Sequence, residues 1–342
     1  MVSDPVLYGG FALVVTILLA IDLFVVHKDS HAVSIKEAGI WSAIWIGVSI
    51  IFGLFIARLH EGDGGNVTVE FFTGYVIEKS LSVDNVFLFV LIFGALNVPK
   101  EHQHRVLFLG VVGAIVMRTI LIFAGAALIE RFAWILIVFG VFLVYTGIKT
   151  WQQRNEHPDI SNSRALRQVR RLVPSTDQYH GEKFFIRENG RLLATPMFIV
   201  LVLVEFTDLV FAMDSIPAIF AVTQDPFIVL TSNILAILGL RALYFLLAGV
   251  ADRLRYLKAG LAIIIGYVGF KILFEQVDSI FGVDVARFHP APLLSLGIVM
   301  GVLLVTVVIS LRAGPLPEGE HAAAGLSGLL QGNKKDRSGT PR

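Results

Sequence analysis

Thr195-Pro-Met-Phe-Ile-Val-Leu-Val-Leu-Val-Glu205-Phe-Thr-Asp208-Leu-Val-Phe-Ala-Met-Asp214-Ser-Ile-Pro217-Ala-Ile-Phe-Ala-Val222 decides how this chain must be read. The run is apolar and long enough to cross a bilayer as a helix, because about 20 residues cover a hydrocarbon core of roughly 30 Å. Yet it carries three carboxylates and, beyond Pro196 at its start, an internal proline, Pro217. An ionised group at the centre of a spanning helix costs roughly 3 kcal/mol on insertion scales. Such a segment has to meet partners on neighbouring helices, which implies several spans around a polar interior.

The rest of the chain supplies them. Of 342 residues 55% are hydrophobic and 16% charged, with mean hydropathy +0.75, which excludes a disordered chain and an ordinary soluble globule. Nine apolar stretches are each long enough to span: Val6–Val26, Ile40–Leu59, Val69–Leu96, His104–Ile129, Phe132–Thr150, Thr195–Val222, Phe227–Val250, Leu257–Phe281 and Leu293–Leu311. The expected fold is all-α, a polytopic membrane protein of about nine helices, with residues 1–312 as the transmembrane domain. The first stretch lacks a preceding basic residue and a following cleavage pattern, so it reads as an uncleaved span. Net charge is +1 and cysteine is absent. Nothing points to nucleic acid, and thiolate metal sites and disulfides are excluded.

Basic residues concentrate in alternate loops: Lys28 and Lys36, Lys100 and Arg105, then Arg253, Arg255 and Lys258. By the positive-inside rule the N-terminus is outside and the C-terminus in the cytoplasm, as expected of a multi-pass protein of the cell (inner) membrane. The connection over residues 153–194 is then cytoplasmic. It clusters Arg164, Arg167, Arg170 and Arg171, reads as a solvated linker near anionic headgroups, and carries a hairpin signal at Asn189-Gly190. The tail, 313–342, reads as disordered.

An internal repeat is legible. Glu78 and Asp84-Asn85 in span three match Asp208 and Asp214-Ser215 in span six. Arg118 in span four matches Arg241 in span seven, and Tyr145-Thr-Gly147-Ile-Lys149 matches Tyr267-Val-Gly269-Phe-Lys271. Units of three spans enter the membrane from opposite sides, so the two copies are inverted, an arrangement that secondary transporters use.

Within the spans lie Glu78, Asp84, Glu205, Asp208 and Asp214 against Lys79, Arg118 and Arg241, with Asp22 a further acid near the end of span one. Left unpaired, eight such charges would cost about 24 kcal/mol, more than the roughly 5–15 kcal/mol that hold a domain together. The excess of acid suits a divalent cation or bound protons. Glu78, Ser82 and Asn85 share one helical face, as do Asp208 and Ser215. Asp84 and Asp214 sit about 100° to the side of Asn85 and Ser215, and spans three and six facing one another would gather several carboxylates and an amide oxygen. Asp84 and Asp214 are expected as the central metal ligands, helped by Glu78, Asn85, Asp208 and Glu205. Arg118 and Arg241 would be their charge partners. Pro217 removes the partner of the Met213 carbonyl and is expected to open span six there. All nine histidines fall in loops or at span ends. The donors are therefore oxygens, with the Met213 thioether the one softer group, and Mn²⁺, Mg²⁺ or Ca²⁺ fits better than Zn²⁺ or copper. No role follows for Lys79.

At Gly74-Tyr-Val-Ile-Glu-Lys-Ser-Leu-Ser-Val-Asp-Asn85, His104-Arg-Val-Leu-Phe108, Asn189-Gly-Arg-Leu-Leu-Ala-Thr-Pro196 and Val204–Ala218 the sequence resembles the TerC family, named for tellurium resistance. The resemblance runs from about Leu13 to Leu311. It implies a transporter of the LysE-like superfamily associated with manganese export. It also places the family's acidic motif on Glu78, Asp84, Asn85, Glu205, Asp208 and Asp214. A tellurium oxyanion would be repelled by so many carboxylates. The expectation is an exporter of Mn²⁺, working against protons and using no resident cofactor. The alternatives are a Ca²⁺/H⁺ exchanger on the same site and a non-transporting assembly or metallation factor. No HExxH, GxSxG or Walker lysine loop suggests an enzyme.

Overall fold

A computed structural model of the chain describes residues 4–24, 35–59, 64–132, 134–154, 164–188, 190–248, 256–281 and 292–314. The tail beyond 314 and several loop residues used for orientation, including Lys28, Arg253 and Arg255, lie outside them, as do six of the histidines. Of the others, His102 and His104 begin a helix and His180 lies in the long connection.

The described residues form eleven helices and one hairpin: α1 (Asp4–Phe24), α2 (Ile35–Leu59), α3 (Gly64–Ala95), α4 (Lys100–Arg131), α5 (Ile135–Gln152), α6 (Arg164–Leu172), β1 (Phe185–Glu188), β2 (Arg191–Ala194), α7 (Pro196–Phe220), α8 (Pro226–Leu238), α9 (Leu240–Ala248), α10 (Leu257–Phe281) and α11 (Pro292–Ala313). Seven helices, α1, α2, α4, α5, α7, α10 and α11, are long and apolar enough to cross a membrane, and α8 with α9, bent by 42°, makes an eighth. The ninth expected span lies within α3, whose 32 residues include Glu78, Lys79 and Asp84. These charges take it out of the apolar class. Burial accounts for it instead, because α3 packs against α2, α7, α8, α9, α10 and α11.

Local sequence sets the helix ends. The α3 terminus is a left-handed cap: Asn97 has φ +51°, and the Val98 and Asn97 amides return to the carbonyls of Phe93 and Gly94. Asp225 caps α8 by accepting from the Phe227 amide at 2.8 Å, with Pro226 at its first position. Large side chains such as Ile51, Ile120 and Leu304 face outward, as a bilayer requires. Helix α8 is buried along nearly its whole length. Helices α5 and α10, which carry the matched Tyr-x-Gly-x-Lys motifs, pack backbone to backbone. A Cβ on Gly147 would come within 2.9 Å of the Gly266 nitrogen, and one on Gly269 within 2.8 Å of the Val144 nitrogen.

The long connection is folded rather than merely solvated. The hairpin is present, with Glu188 opposite Arg191 and Gly190 at φ +76°; Asn189 lies outside the described residues. Tyr179 donates to the Leu96 carbonyl at 2.8 Å, and burial pushes its phenol up to about 12, so the bond persists at ordinary pH. Arg105 pairs with Glu182 at 2.6 Å, and the Phe185 and Phe198 rings lie 4.6 Å apart. Helix α6 rests on the bundle through buried Leu166, leaving Arg167, Arg170 and Arg171 exposed.

Candidate functional site

Residues seven positions apart return to the same side of a helix after two turns. Helix α3 thus presents Glu78, Ser82 and Asn85 to the interior, and α7 presents Asp208 and Ser215; all five are buried. Arg118 of α4 and Asn233 of α8, both 0% exposed, complete the group. The guanidinium grips Asp208 with two parallel bonds, Nε to Oδ2 at 3.0 Å and Nη2 to Oδ1 at 2.8 Å. Its Nη1 donates to Glu78 Oε1 and, at longer range, to Asn233 Oδ1 at 3.3 Å and Ser215 Oγ at 3.4 Å. Asn233 Nδ2 returns a bond to Glu78 Oε2 at 3.0 Å, and Asn85 Nδ2 reaches Asp208 Oδ1 at 3.5 Å. Four helices are joined through one planar fork, a geometry that suits arginine and not lysine.

Two carboxylates face one guanidinium here, so the centre keeps a formal negative charge. It also keeps two unspent acceptors. Ser82 Oγ and Asn85 Oδ1 are buried and without a hydrogen-bond partner, which ordinarily costs about 1–3 kcal/mol each. Unspent oxygens beside carboxylates are what a hard cation binds.

The expected gathering of six ligands around an ion is not what the structure shows. Among the described residues no three His, Asp or Glu side chains are placed to hold a metal ion, because the Arg118 fork fills the space between Glu78 and Asp208. Glu205, one turn before Asp208, lies in the notch left by Gly113 of α4, where a Cβ would collide with its carboxylate. Asp84 lies in the field of Lys258 of α10. Asp214 accepts from Thr146 Oγ1 of α5 at 3.2 Å, in the field of Lys149. Asp22, the further acid near the end of span one, accepts from Arg241 Nη2 in a buried pair away from the centre. Met213 is 54% exposed; five residues beyond Asp208 it points about 140° away. Helix α7 continues through Pro217 to Phe220. A proline in a last turn removes a bond where the ladder is ending anyway. The broken span is the next one, at Gly239 between α8 and α9.

The chain matches the model of the integral membrane protein TerC family over residues 64–314. The chain belongs to the TerC family. It is 48% identical over 316 residues to the Salmonella typhi protein named "Putative membrane-bound redox modulator Alx", covering 90% of this chain and 95% of that one. It is 47% identical over 310 residues to a membrane protein of Myxococcus xanthus, covering 91% and 93%. To a Rickettsia bellii membrane protein it is 42% identical over 270 residues, covering 79% and 88%. No solved structure matches. As a TerC-family protein with apolar helices of spanning length, it is an integral, multi-pass membrane protein.

Sequence reasoning missed Asn233 in this TerC-family centre, although Thr231-Ser232-Asn233 is a polar triplet in an otherwise apolar span. It also missed Thr146 and the notch at Gly113, whose partners are distant in the chain.

Proposed function

We propose that this TerC-family chain is a secondary transporter that exports a hard divalent cation, Mn²⁺ foremost, from the cytoplasm in exchange for protons. The observation that carries the reading is the pair of buried, unpartnered oxygens of Ser82 and Asn85 beside the carboxylates of Glu78 and Asp208. A divalent cargo completes that set by competing with the Arg118 guanidinium for the two carboxylates, and protons on the same acids reset it. Asp84 and Asp214 each lie six residues, roughly 9 Å, along the helix from Glu78 and Asp208. They serve as relay carboxylates flanking the centre. The close packing of α5 on α10 supports two inverted units working against each other. Orientation follows the basic loops, N-terminus outside and C-terminus inside the inner membrane.

The printed name of the Salmonella relative speaks of redox modulation. This chain has no cysteine, so it offers no thiol–disulfide exchange. A redox-active cargo such as Mn²⁺ accommodates that name, whereas Ca²⁺ does not. Mn²⁺ flux in reconstituted vesicles tests the reading. The native protein should move Mn²⁺ with a rate set by an imposed pH gradient, and Glu78→Gln and Asp208→Asn should each abolish it. Flux indifferent to the gradient would remove the exchange step; flux equal in native and variant proteins would remove the site. Competition by Ca²⁺ and Mg²⁺ ranks the cargo.

One observation favours a second reading, an assembly or metallation factor: the exposed face of Arg167, Arg170 and Arg171 on a segment docked to the bundle. Reversing those three charges should then abolish function in cells while Asp208→Asn is tolerated.

A further inference from the structure

Lys79 is the charge that neither the sequence nor the proposed centre explains. It lies beside Glu78 on α3, yet its side chain turns away from the acids. Its Nζ donates to the carbonyl of Ala236 at 3.1 Å. Ala236 is in the last turn of α8, where the final four carbonyls lack intrahelical partners and the helix dipole is negative. A cation there satisfies an orphaned acceptor and complements the dipole at once. The next element, α9, leaves at 42°.

The residue between them fits this contact. A Cβ on Gly239 would come within 2.9 Å of Lys79 Nζ and 3.0 Å of the Trp45 Cβ of α2. Glycine is what lets the ammonium and α2 close on the break. The bend is gripped from both sides. Before it, adjacent residues of α3 hold one face of α8, Glu78 through Asn233 at 3.0 Å and Lys79 through Ala236, three residues on. After it, Arg241 of α9 donates to the side chain and the carbonyl of Asp22 on α1.

We infer that Lys79 is a positioning residue: a tethered cation at the C-terminal end of the half-helix α8, which sets the α8–α9 bend and thereby keeps Asn233 on the Glu78–Arg118 centre. Half-helix C-terminal ends in transporters coordinate cations; here the protein supplies its own. The inference stands on the helix break and does not depend on what is transported.

The test reads the bend directly. Because the chain has no cysteine, spin labels attach only where they are introduced. Ala248→Cys, at the end of α9, is paired in turn with Lys36→Cys and with Gln152→Cys, and distances are measured by double electron–electron resonance on the full chain in nanodiscs. Helix α9 is an arm of roughly 13 Å, so complete straightening through 42° moves its tip by up to about 10 Å. Lys79→Met, similar in length but without donor or charge, should shift or broaden at least one distance by several ångströms. Gly239→Ala attacks the same contact from the other side. It should shift the distance in the native background and add little once Lys79 is Met, since the two changes remove one interaction. Unchanged distances in both single variants would overturn the inference. So would full additivity in the double variant, which would make Gly239 a mere flexible point. If Lys79→Met does not yield a monodisperse protein, Gly239→Ala decides: a shift upholds the inference and an unchanged distance overturns it. Mn²⁺ flux is not the readout, so a failure of the transport reading is separable from a failure of this one.

Discussion

Arg118 and Arg241 are both long, buried cations, and the helices around them use them in different ways. Arg118 has three donor nitrogens engaged, by two carboxylates, an amide and a hydroxyl drawn from three other helices. Arg241 donates to the side chain and the carbonyl of Asp22 on α1, next to a cavity of about 10 Å³ lined by Trp41 and Trp45, room for about one water. The central arginine is a keystone whose removal strands two charges. The outer one is a strut whose removal strands one, with a water-sized space beside it. The two occupy matched places in the three-span units read from the sequence. Both positions hold a buried cation, and the neighbouring helices give each a different task.

The largest expected effect breaks that comparison at the centre. Arg118→Met leaves Glu78 and Asp208 buried and unpaired, a loss of about 3–5 kcal/mol, so the protein should accumulate poorly and lose much of its Tm in detergent. Neutralising the partners as well, in Arg118→Met with Glu78→Gln and Asp208→Asn, should restore most of the stability and none of the transport. A triple variant as unstable as the single one would show that the site is held by packing rather than charge. Arg241→Met should cost less, about 1–3 kcal/mol, because Asp22 can take a proton or a water. If thermal melts showed the two arginine variants equal, the distinction between keystone and strut would fail.

How much of this was legible in sequence depends on the range of the interaction. The need for buried partners followed from carboxylates in apolar runs, and Arg118 and the Glu78, Asn85 and Asp208 faces followed from helical spacing. Which acid meets which base did not, because Arg118 and Asp208 are joined only by tertiary packing. Pro217 attracted attention as a breaker, yet the break falls at Gly239. That glycine becomes significant only when Lys79, far away in the chain, lies against it. Nine spans were expected, whereas seven helices, or eight with the bent pair, are long and apolar enough to cross. Helix α3 falls outside that class because its charges are sheltered by six neighbouring helices and not by an apolar surface of its own.

Asn233→Ala sharpens the view of the centre. It removes one donor to Glu78 and one acceptor from Arg118, and should lower stability by about 1–3 kcal/mol, measurable in the same melts. A loss below that of Arg241→Met would mean that the amide serves the transport step more than the fold.

The smallest effect separates fold from function most cleanly. Ser82 on α3 and Ser42 on α2 each bury a hydroxyl oxygen with no partner, the first beside the acids and the second one residue from Trp41 at the outer pair. Removing an unsatisfied buried oxygen relieves a desolvation penalty. Ser82→Ala and Ser42→Ala should therefore both leave Tm unchanged or raise it, by the equivalent of up to about 1 kcal/mol. Structure alone predicts no further difference between them. A cation site does, because Ser82 Oγ is then a ligand and Ser42 Oγ is not. Ser82→Ala should raise the KM for Mn²⁺ severalfold at intact stability, while Ser42→Ala leaves transport unchanged. Equal KM in both variants would return Ser82 to the class of incidental core hydroxyls and shift the cargo site toward Asp84 or Asp214.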